Sequence, residues 1–298
     1  MDAGSAGPTG IDSTDPAVTD STRQTAGPRT SSGVGPFPAR LQRFGRVDST
    51  QSVVASWLAE GAPDVCVAVA DEQTAGRGRQ GRTWVAPPGS ALMLSIGFRP
   101  SWLAPRDAWR IPAIVALAMA DAAEEAAGLR DGTLGLKWPN DLVVEGPEGR
   151  LLKVAGVLGE STTLGARLET AIVGVGVNVE WTASDFPADL STSMTSLSEA
   201  SGGRPVDREA LLEAFLDRLE PRYEALRQAR FDSGGWDVRQ RTTGRRVVVE
   251  VGRDRIEGTG EGVDSATGAL LVRTAGRVLA IDTGEVVRCR VADGGAAR

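Results

Sequence analysis

Histidine is absent from all 298 residues of the chain, and cysteine occurs only at Cys66 and Cys289. Without histidine, Ser-His-Asp and Cys-His nucleophilic sites and imidazole acid–base catalysis are excluded. Both cysteines stand in apolar, strand-like stretches with no CxxC pattern, so we expect two buried, reduced thiols and no zinc site. Any chemistry must therefore use lysine, arginine, carboxylates, backbone amides or a bound metal ion.

Long apolar runs and an excess of positive charge are missing as well. No stretch reaches the length of a membrane span, and the N-terminus has neither the basic nor the apolar region of a secretory signal. We therefore expect a cytoplasmic protein that does not associate with membranes. The formal net charge of −6 predicts no general attraction to nucleic acid. The 41% of apolar residues still allows a sizeable core.

The distribution of large apolar residues divides the chain into three parts. Such residues are nearly missing up to about Phe37, which predicts a disordered tail over residues 1–40. Residues 41–240 mix helical and strand patterns, which predicts an α+β (mixed α/β) domain that carries the chemistry. From Arg245 onward, short β-branched runs alternate with glycine turns, which predicts a small all-β barrel over residues 241–298.

Hydrophobic periodicity assigns individual elements within the middle part of the chain. Apolar residues at helical spacing predict helices over Ser52–Ala59, Ile111–Ala126 and Asp207–Gln228. Short apolar runs predict strands over Phe44–Val47, Val65–Ala70, Ala91–Phe98, Leu134–Lys137, Leu151–Leu158 and Leu168–Val177.

Two polar segments stand where ligand-binding loops are often found. Asp48-Ser49-Thr50 separates a strand from a helix, and its hydroxyls suit either a helix N-cap or a polar ligand. The loop Gly76-Arg77-Gly78-Arg79-Gln80-Gly81-Arg82 combines flexible glycines with guanidinium groups. It is interpreted as a loop that folds over an anionic ligand, as a solvated loop, or as an Arg/Gly nucleic-acid binder.

Three further segments place charged or polar groups, or glycines, among apolar residues. Lys137-Trp138-Pro139-Asn140-Asp141 is either a plain turn or a rigid turn that aims its polar groups at a ligand. Lys153 stands in an apolar strand just before Gly156, so it either extends to solvent or meets an anion. Gly174-Val175-Gly176-Val177-Asn178 is a bulge with a turn, or a second strand that leaves room for a ligand.

Four of these motifs occur together in an order and at a spacing that resemble the biotin protein ligase family, over about Phe44 to Arg290. They are Asp48-Ser49-Thr50, the GRGRQGR loop from Gly76, the KWPND turn from Lys137 and the KVAGVLGE strand from Lys153. The resemblance implies a mixed α/β catalytic domain with an SH3-like C-terminal barrel. Some members of the family carry an N-terminal helix-turn-helix and repress biotin genes. Nothing before Phe44 predicts such a unit, so the chain resembles the short, ligase-only group.

The resemblance also implies which residues contact biotin. Ser49 and Thr50 would bind its ureido end, and Gln73 would contact it too. The family usually has asparagine after the Ser-Thr pair, whereas this chain has Gln51, one methylene longer, which we nevertheless expect among the biotin contacts. Gly156 would line the biotin pocket.

Residues for the adenylate and the chemistry follow from the same resemblance. Arg77, Gly78 and Arg79 would close over the biotin carboxylate and the adenylate phosphate, and Lys153 would sit on the reacting groups. Lys153 and Arg79 are therefore the expected catalytic residues. Trp84 would pack near the adenine.

Lys137, Asn140, Asp141 and Asn178 are the remaining expected nucleotide contacts. The resemblance implies ATP and Mg²⁺ as cofactors and two half-reactions, formation of biotinyl-5′-AMP and transfer of biotin to a lysine of a biotin carboxyl carrier protein. Neither half-reaction needs a protein nucleophile, which suits a chain without histidine. An aspartate such as Asp141 is one candidate for a magnesium contact beside the phosphates.

Three other functions are weighed against this one. A lipoate or octanoate ligase shares the fold type, but its RRxSGGG loop and His-Asp pair are not in this chain. A biotin-sensing DNA-binding regulator would need a recognition helix and a basic face. An Arg/Gly nucleic-acid binder leaves three of the four motifs unexplained. The oligomeric state stays open between a monomer and a homodimer.

Overall fold

The computed structural model describes Met1 and residues 37–182, 184–188 and 190–291. Almost all of the predicted tail over residues 1–40 lies outside the described residues. Within them, the first strand begins at Arg40 rather than at Phe44, and Phe37 already packs against the main core. Folded structure therefore starts slightly earlier than the position near Leu41 that the sequence predicts.

A seven-stranded sheet forms the centre of the larger part of the molecule, in the strand order β1-β2-β3-β7-β6-β5-β4. Only β1 and β2 run parallel, and the other neighbours are antiparallel. Strands β1 to β7 span Arg40–Val47, Cys66–Gln73, Ala91–Phe98, Gly135–Lys137, Asp141–Glu145, Leu151–Leu164 and Arg167–Asn178.

Helices cover both faces of this sheet. Helices α1 to α5 span Thr50–Ala59, Arg110–Ala126, Leu197–Ala200, Arg208–Arg227 and Ser233–Val238. Alternate residues of β2 serve opposite faces: Cys66 packs with α1, whereas Val67 belongs to the main core with α2 and α4. The two long helices α2 and α4 cover the face that carries Val67. The face that carries Cys66 is covered only in part, by the short helix α1.

The C-terminal part is a separate five-stranded antiparallel sheet in the order β11-β10-β9-β8-β12. Strands β8 to β12 span Arg245–Val251, Asp254–Val263, Leu270–Thr274, Arg277–Ile281 and Glu285–Val291. The expected fold class, a mixed α/β domain followed by a small SH3-like all-β unit, is confirmed. The domain boundary near residue 241 stays a prediction, because residues 239–241 pair with β4 before the second sheet begins.

The predicted elements agree with the observed ones to within a few residues at most ends. The structure adds β5, β6 is six residues longer than predicted, and α1 begins at Thr50 instead of Ser52. Neither Cys66 nor Cys289 forms a disulfide, and burial raises the pKa of both thiols. Among the described residues, no helix is both long and apolar enough to cross a bilayer.

Candidate active site

A cavity opens on the α1 face of the large sheet, between the first turn of α1 and the indole of Trp84. Two rows of paired residues run beneath it: Met93, Gly176 and Gly156 in one row, and Ser95, Gly174 and Leu158 in the next. All of these except Met93 line the cavity. The residues predicted for the site that line this cavity are Thr50, Gln51, Gln73, Arg77, Gly78, Arg79, Trp84, Asn140, Lys153 and Gly156.

The closed end of the cavity carries a chain of hydrogen bonds. Thr50 donates from its backbone nitrogen and its hydroxyl to Gln73 Oε1, over 2.8 Å and 3.1 Å. Because the Thr50 proton is used in this way, Thr50 Oγ1 accepts from Ser95 Oγ at 2.8 Å. The amide nitrogen of Gln73 has only the sulfur of Met93 at 3.5 Å, which is a weak acceptor. That N–H₂ group is therefore available to a ligand.

Ser49 occupies the N-cap position of α1, but its side chain makes no capping hydrogen bond. It is 3% exposed, and its Oγ has no hydrogen-bond partner among the described residues. A buried hydroxyl without a partner costs free energy. The segment Asp48 to Thr50 thus starts a helix, as the N-cap interpretation predicts. Ser49 itself is not among the residues that line the cavity, so its contact with a ligand stays a prediction.

Lys153 lies at the opposite end of the cavity. The β5–β6 register shifts between Leu142 and Val143, and such an irregularity re-aims side chains. Lys153 Nζ consequently comes within 3.2 Å of the position that a Cβ on Gly156 would take, and 5.5 Å from the centre of the Trp84 ring. The ammonium group is half-buried inside the cavity instead of extending to solvent.

Asp141 joins Lys153 to the second lysine of the site. Its Oδ1 lies 2.6 Å from Lys153 Nζ, and its Oδ2 lies 4.0 Å from Lys137 Nζ. Only two of the 33 basic residues in the chain are lysines, and both meet at this carboxylate. Lys137, Asn140 and Asp141 line an adjoining cavity that Arg79 also borders, so the turn stands between two open spaces.

Glycines in the floor make room for the aromatic wall. A Cβ on Gly176 would lie 2.4 Å from Trp84 Cε2, and one on Gly156 would lie 3.3 Å from Trp84 Cζ3. The Trp84 indole nitrogen is buried without a hydrogen-bond partner among the described residues. The strand glycines that the sequence presents are thus explained by close approach of side chains to the sheet.

The Gly/Arg loop is a short hairpin whose arginines all have partners. Arg77 contacts Glu160 at 3.5 Å, and Arg82 contacts Glu285 at 2.8 Å. Arg79 donates to the carbonyl of Gly284 at 3.2 Å, and burial lowers the pKa of its guanidinium. The loop is therefore connected to the C-terminal sheet at the mouth of the cavity.

Two predicted contacts, Ser49 and Asn178, line neither of the two cavities. Asn178 is 2% exposed and donates through Nδ2 to the carbonyl of Thr195 at 3.0 Å, and it is not among the residues that line the cavity. Sequence reasoning also missed several lining residues, Ser95 and Met194 among them. Ser95 had a recognisable signal, since it is the one hydroxyl in the otherwise apolar strand β3.

Comparisons with known proteins agree with this geometry. A model of the biotin/lipoate A/B protein ligase family matches residues 44–178. The biotin–[acetyl-CoA-carboxylase] ligase of Mycobacterium tuberculosis is 31% identical over 262 residues, which cover 87% of this chain and 92% of that protein. The bifunctional ligase/repressor BirA of Bacillus spizizenii is 34% identical over 177 residues, or 59% of this chain, and the match spans about half of BirA, 51% of its length.

Comparison with solved structures indicates the same family. The structure of the biotin protein ligase from Aquifex aeolicus in complex with biotin and ATP has a TM-score of 0.69 and 28% sequence identity to this chain. The match covers 85% of this chain and 100% of that structure. The chain therefore belongs to the biotin/lipoate A/B protein ligase family, and within that family to the biotin protein ligases.

Proposed function

We propose that the chain is an ATP-dependent biotin protein ligase, which forms biotinyl-5′-AMP and transfers biotin to a lysine of a biotin carboxyl carrier protein. The observation that carries this proposal is the polarity of the cavity. Its closed end offers neutral donors and acceptors, and its other end offers Lys153 and Arg79. A ligand with a neutral polar ring at one end and a carboxylate at the other matches both ends.

The closed end suits the ureido group of biotin. A ureido carbonyl accepts hydrogen bonds and its two N–H groups donate them. The hydroxyl of Ser49, which has no partner among the described residues, and the amide N–H₂ of Gln73 are the donors. The hydroxyl oxygens of Thr50 and Ser95 are the acceptors. The glycine floor beneath the cavity gives the flat ring system close contact with the sheet.

In the first half-reaction, a carboxylate oxygen of biotin forms a bond to the α-phosphorus of ATP, and pyrophosphate leaves. Two anions must approach each other, so the main need is orientation and charge stabilisation. Lys153 supplies an ammonium at the carboxylate end, and Arg79 supplies a guanidinium at the mouth. Trp84 shields the reacting groups from water, which protects the anhydride from hydrolysis.

Magnesium enters this proposal as part of the MgATP substrate. Among the described residues, no group of three or more carboxylates and thiols lies close enough to hold a metal ion. Asp141, the carboxylate beside Lys153, is already paired with lysine. The residues do not fit a resident magnesium ion, and Mg²⁺ is best held by the phosphates of the nucleotide.

In the second half-reaction, the amine of the carrier lysine forms a bond to the acyl carbon of biotin, and the bond to the phosphate oxygen of AMP breaks. The amine loses its proton to solvent as the amide forms. Lys137, Asn140 and Asp141 stand between the two cavities, where they contact the departing nucleotide. We place this reaction in the cytoplasm, where ATP and the carrier are available.

The test is mass spectrometry of a purified biotin carboxyl carrier domain after incubation with the chain, biotin and MgATP. We expect one added biotinyl group on one lysine of the carrier, and none when ATP is omitted. Lipoate and octanoate, supplied in place of biotin, test the alternative ligase activity. A carrier that remains unmodified with biotin, or is modified with lipoate instead, contradicts the proposal.

A further inference from the structure

The carboxamide of Gln51 lies directly on the bare Cα of Gly174 at the closed end of the cavity. Gln51 is the second residue of α1 and is 3% exposed. A Cβ on Gly174 would lie 3.0 Å from Gln51 Cδ and 3.2 Å from its Cγ and Oε1. Gln51 Nε2 donates to the carbonyl of Leu158 over a long 3.4 Å. The glutamine side chain thus occupies the space that a residue larger than glycine would need.

The position of this contact in the sheet shows which part of a ligand it borders. Gly174 pairs with Ser95 on one side and with Leu158 on the other, and Ser95 bonds to Thr50, the residue next to Gln51. Lys153 lies in the neighbouring row, against Gly156. Gln51 and Gly174 therefore border the polar, closed end of the cavity and not the end where the carboxylate is expected.

We infer that Gln51 and Gly174 together set the depth of the closed end and thereby select the ring of the carboxylic acid that the site accepts. The inference rests on the proposed function, because it takes biotin as the ligand. An asparagine at residue 51 withdraws the carboxamide by about one bond length, roughly 1.5 Å, and leaves a void over Gly174. A methyl group at residue 174 pushes Gln51 into the cavity.

Each single change is expected to weaken biotin binding about tenfold, the lower end of the range for one methylene in a close-fitting pocket. The double variant Gln51→Asn/Gly174→Ala is expected to recover, because the new methyl group fills the space that the lost methylene leaves. Recovery to within about threefold of the wild-type value is a non-additive effect, which residues far apart with no shared partners do not produce.

The experiment measures the Kd for biotin by calorimetry without ATP, for the wild-type chain, the two single variants and the double variant. Desthiobiotin, which keeps the ureido ring but lacks the sulfur-containing ring, is titrated in parallel. The Gly174→Ala change is expected to weaken biotin more than the slimmer desthiobiotin, and the double variant restores the ratio. Gly45→Ala is the matched control, since a Cβ on the exposed Gly45 meets nothing within 4 Å.

Additive losses in the double variant, or wild-type binding in both single variants, would overturn the inference. If Gly174→Ala alone does not fold, recovery of folding in the double variant tests the same contact, and failure to recover contradicts it. A wild-type chain that binds biotin but releases no pyrophosphate contradicts the proposed ligase and leaves this test intact. A wild-type chain that binds no biotin contradicts both.

Discussion

The ammonium of Lys153 lies 2.6 Å from the carboxylate of Asp141, and the same carboxylate faces Lys137 at 4.0 Å. Arginine supplies every other basic side chain of this protein, so lysine stands only where a compact, point-like charge meets the cavity. The pair sets two requirements at once. Lys153 must be available to an incoming anion, and Asp141 must hold it in place until that anion arrives.

Replacing Lys153 with either alanine or arginine is expected to abolish pyrophosphate release from MgATP and biotin. Alanine removes the charge, and arginine brings a planar fork that does not fit against Gly156 and Trp84. Pyrophosphate release and far-ultraviolet circular dichroism are measured together. Arg106→Lys, a change at an 86% exposed side chain, is the control for the arginine–lysine exchange itself. Normal pyrophosphate release by folded Lys153→Arg would contradict this role.

The position of Lys153 shows where sequence reasoning reaches its limit. Its isolation in an apolar strand identifies it as a candidate, but strict alternation places it and Gly156 on opposite faces of that strand. The register shift at Leu142 and Val143 brings them together. No local pattern in the sequence marks the irregularity, because it depends on pairing with β5, a strand of which the sequence analysis assigns only Asp141, as the end of a turn.

The fold could be predicted from the sequence more fully than the site. Helix α4 has apolar residues at helical spacing and the N-cap residue Asp207, and α2 is a long Ala-rich stretch with Pro112 in its first turn. The bounds of both helices were therefore predicted to within one residue. The closed end of the cavity, by contrast, brings together Thr50, Gln73 and Ser95 from separate elements. Only the pairing of strands reveals that they touch, so the single hydroxyl in β3 could be noticed in the sequence but not assigned to the site.

The buried carboxylate of Glu124 is expected to contribute strongly to stability. It is 1% exposed, accepts from the backbone of Leu134, and pairs with Arg239 at 2.9 Å. Removing one partner of a buried pair typically costs about 3–5 kcal/mol, so Glu124→Ala should lower the free energy of unfolding by about 3 kcal/mol. Chemical denaturation measures this free energy.

The control is the neighbouring Glu125, which has a 58% exposed side chain, so Glu125→Ala should cost less than about 1 kcal/mol. Equal losses in the two variants would refute this assignment.

Deleting residues 2–36 is expected to leave ligase activity unchanged, because this stretch has almost no large apolar residue that could dock on the fold. The structure sharpens where the deletion should end, since Phe37 packs against the main core. The rate of carrier biotinylation and the melting temperature are compared for the full chain, the chain from Phe37 and a chain that also lacks Phe37. Loss of activity in the chain that keeps Phe37 would show that the tail takes part in the reaction.

Arg79→Gly is expected to weaken retention of biotinyl-5′-AMP more than its synthesis. The guanidinium stands at the mouth of the cavity, held by the carbonyl of Gly284, whereas Lys153 remains inside to support the first half-reaction. A charged hydrogen bond of this kind contributes about 1.5–3 kcal/mol, which corresponds to a roughly ten- to hundredfold faster loss of the anhydride.

The released anhydride then acylates exposed lysines elsewhere, so an unrelated albumin in the reaction should become biotinylated. The extent of biotinylation of the albumin can be compared with that of the Arg79→Gly chain itself. Its two lysines, Lys137 and Lys153, both lie at the site, and Met1 carries its only other primary amine. Mass spectrometry should therefore find many biotinyl groups on the albumin and few on the enzyme. If the variant makes the adenylate at the wild-type rate and the albumin stays unlabelled, Arg79 does not hold the intermediate.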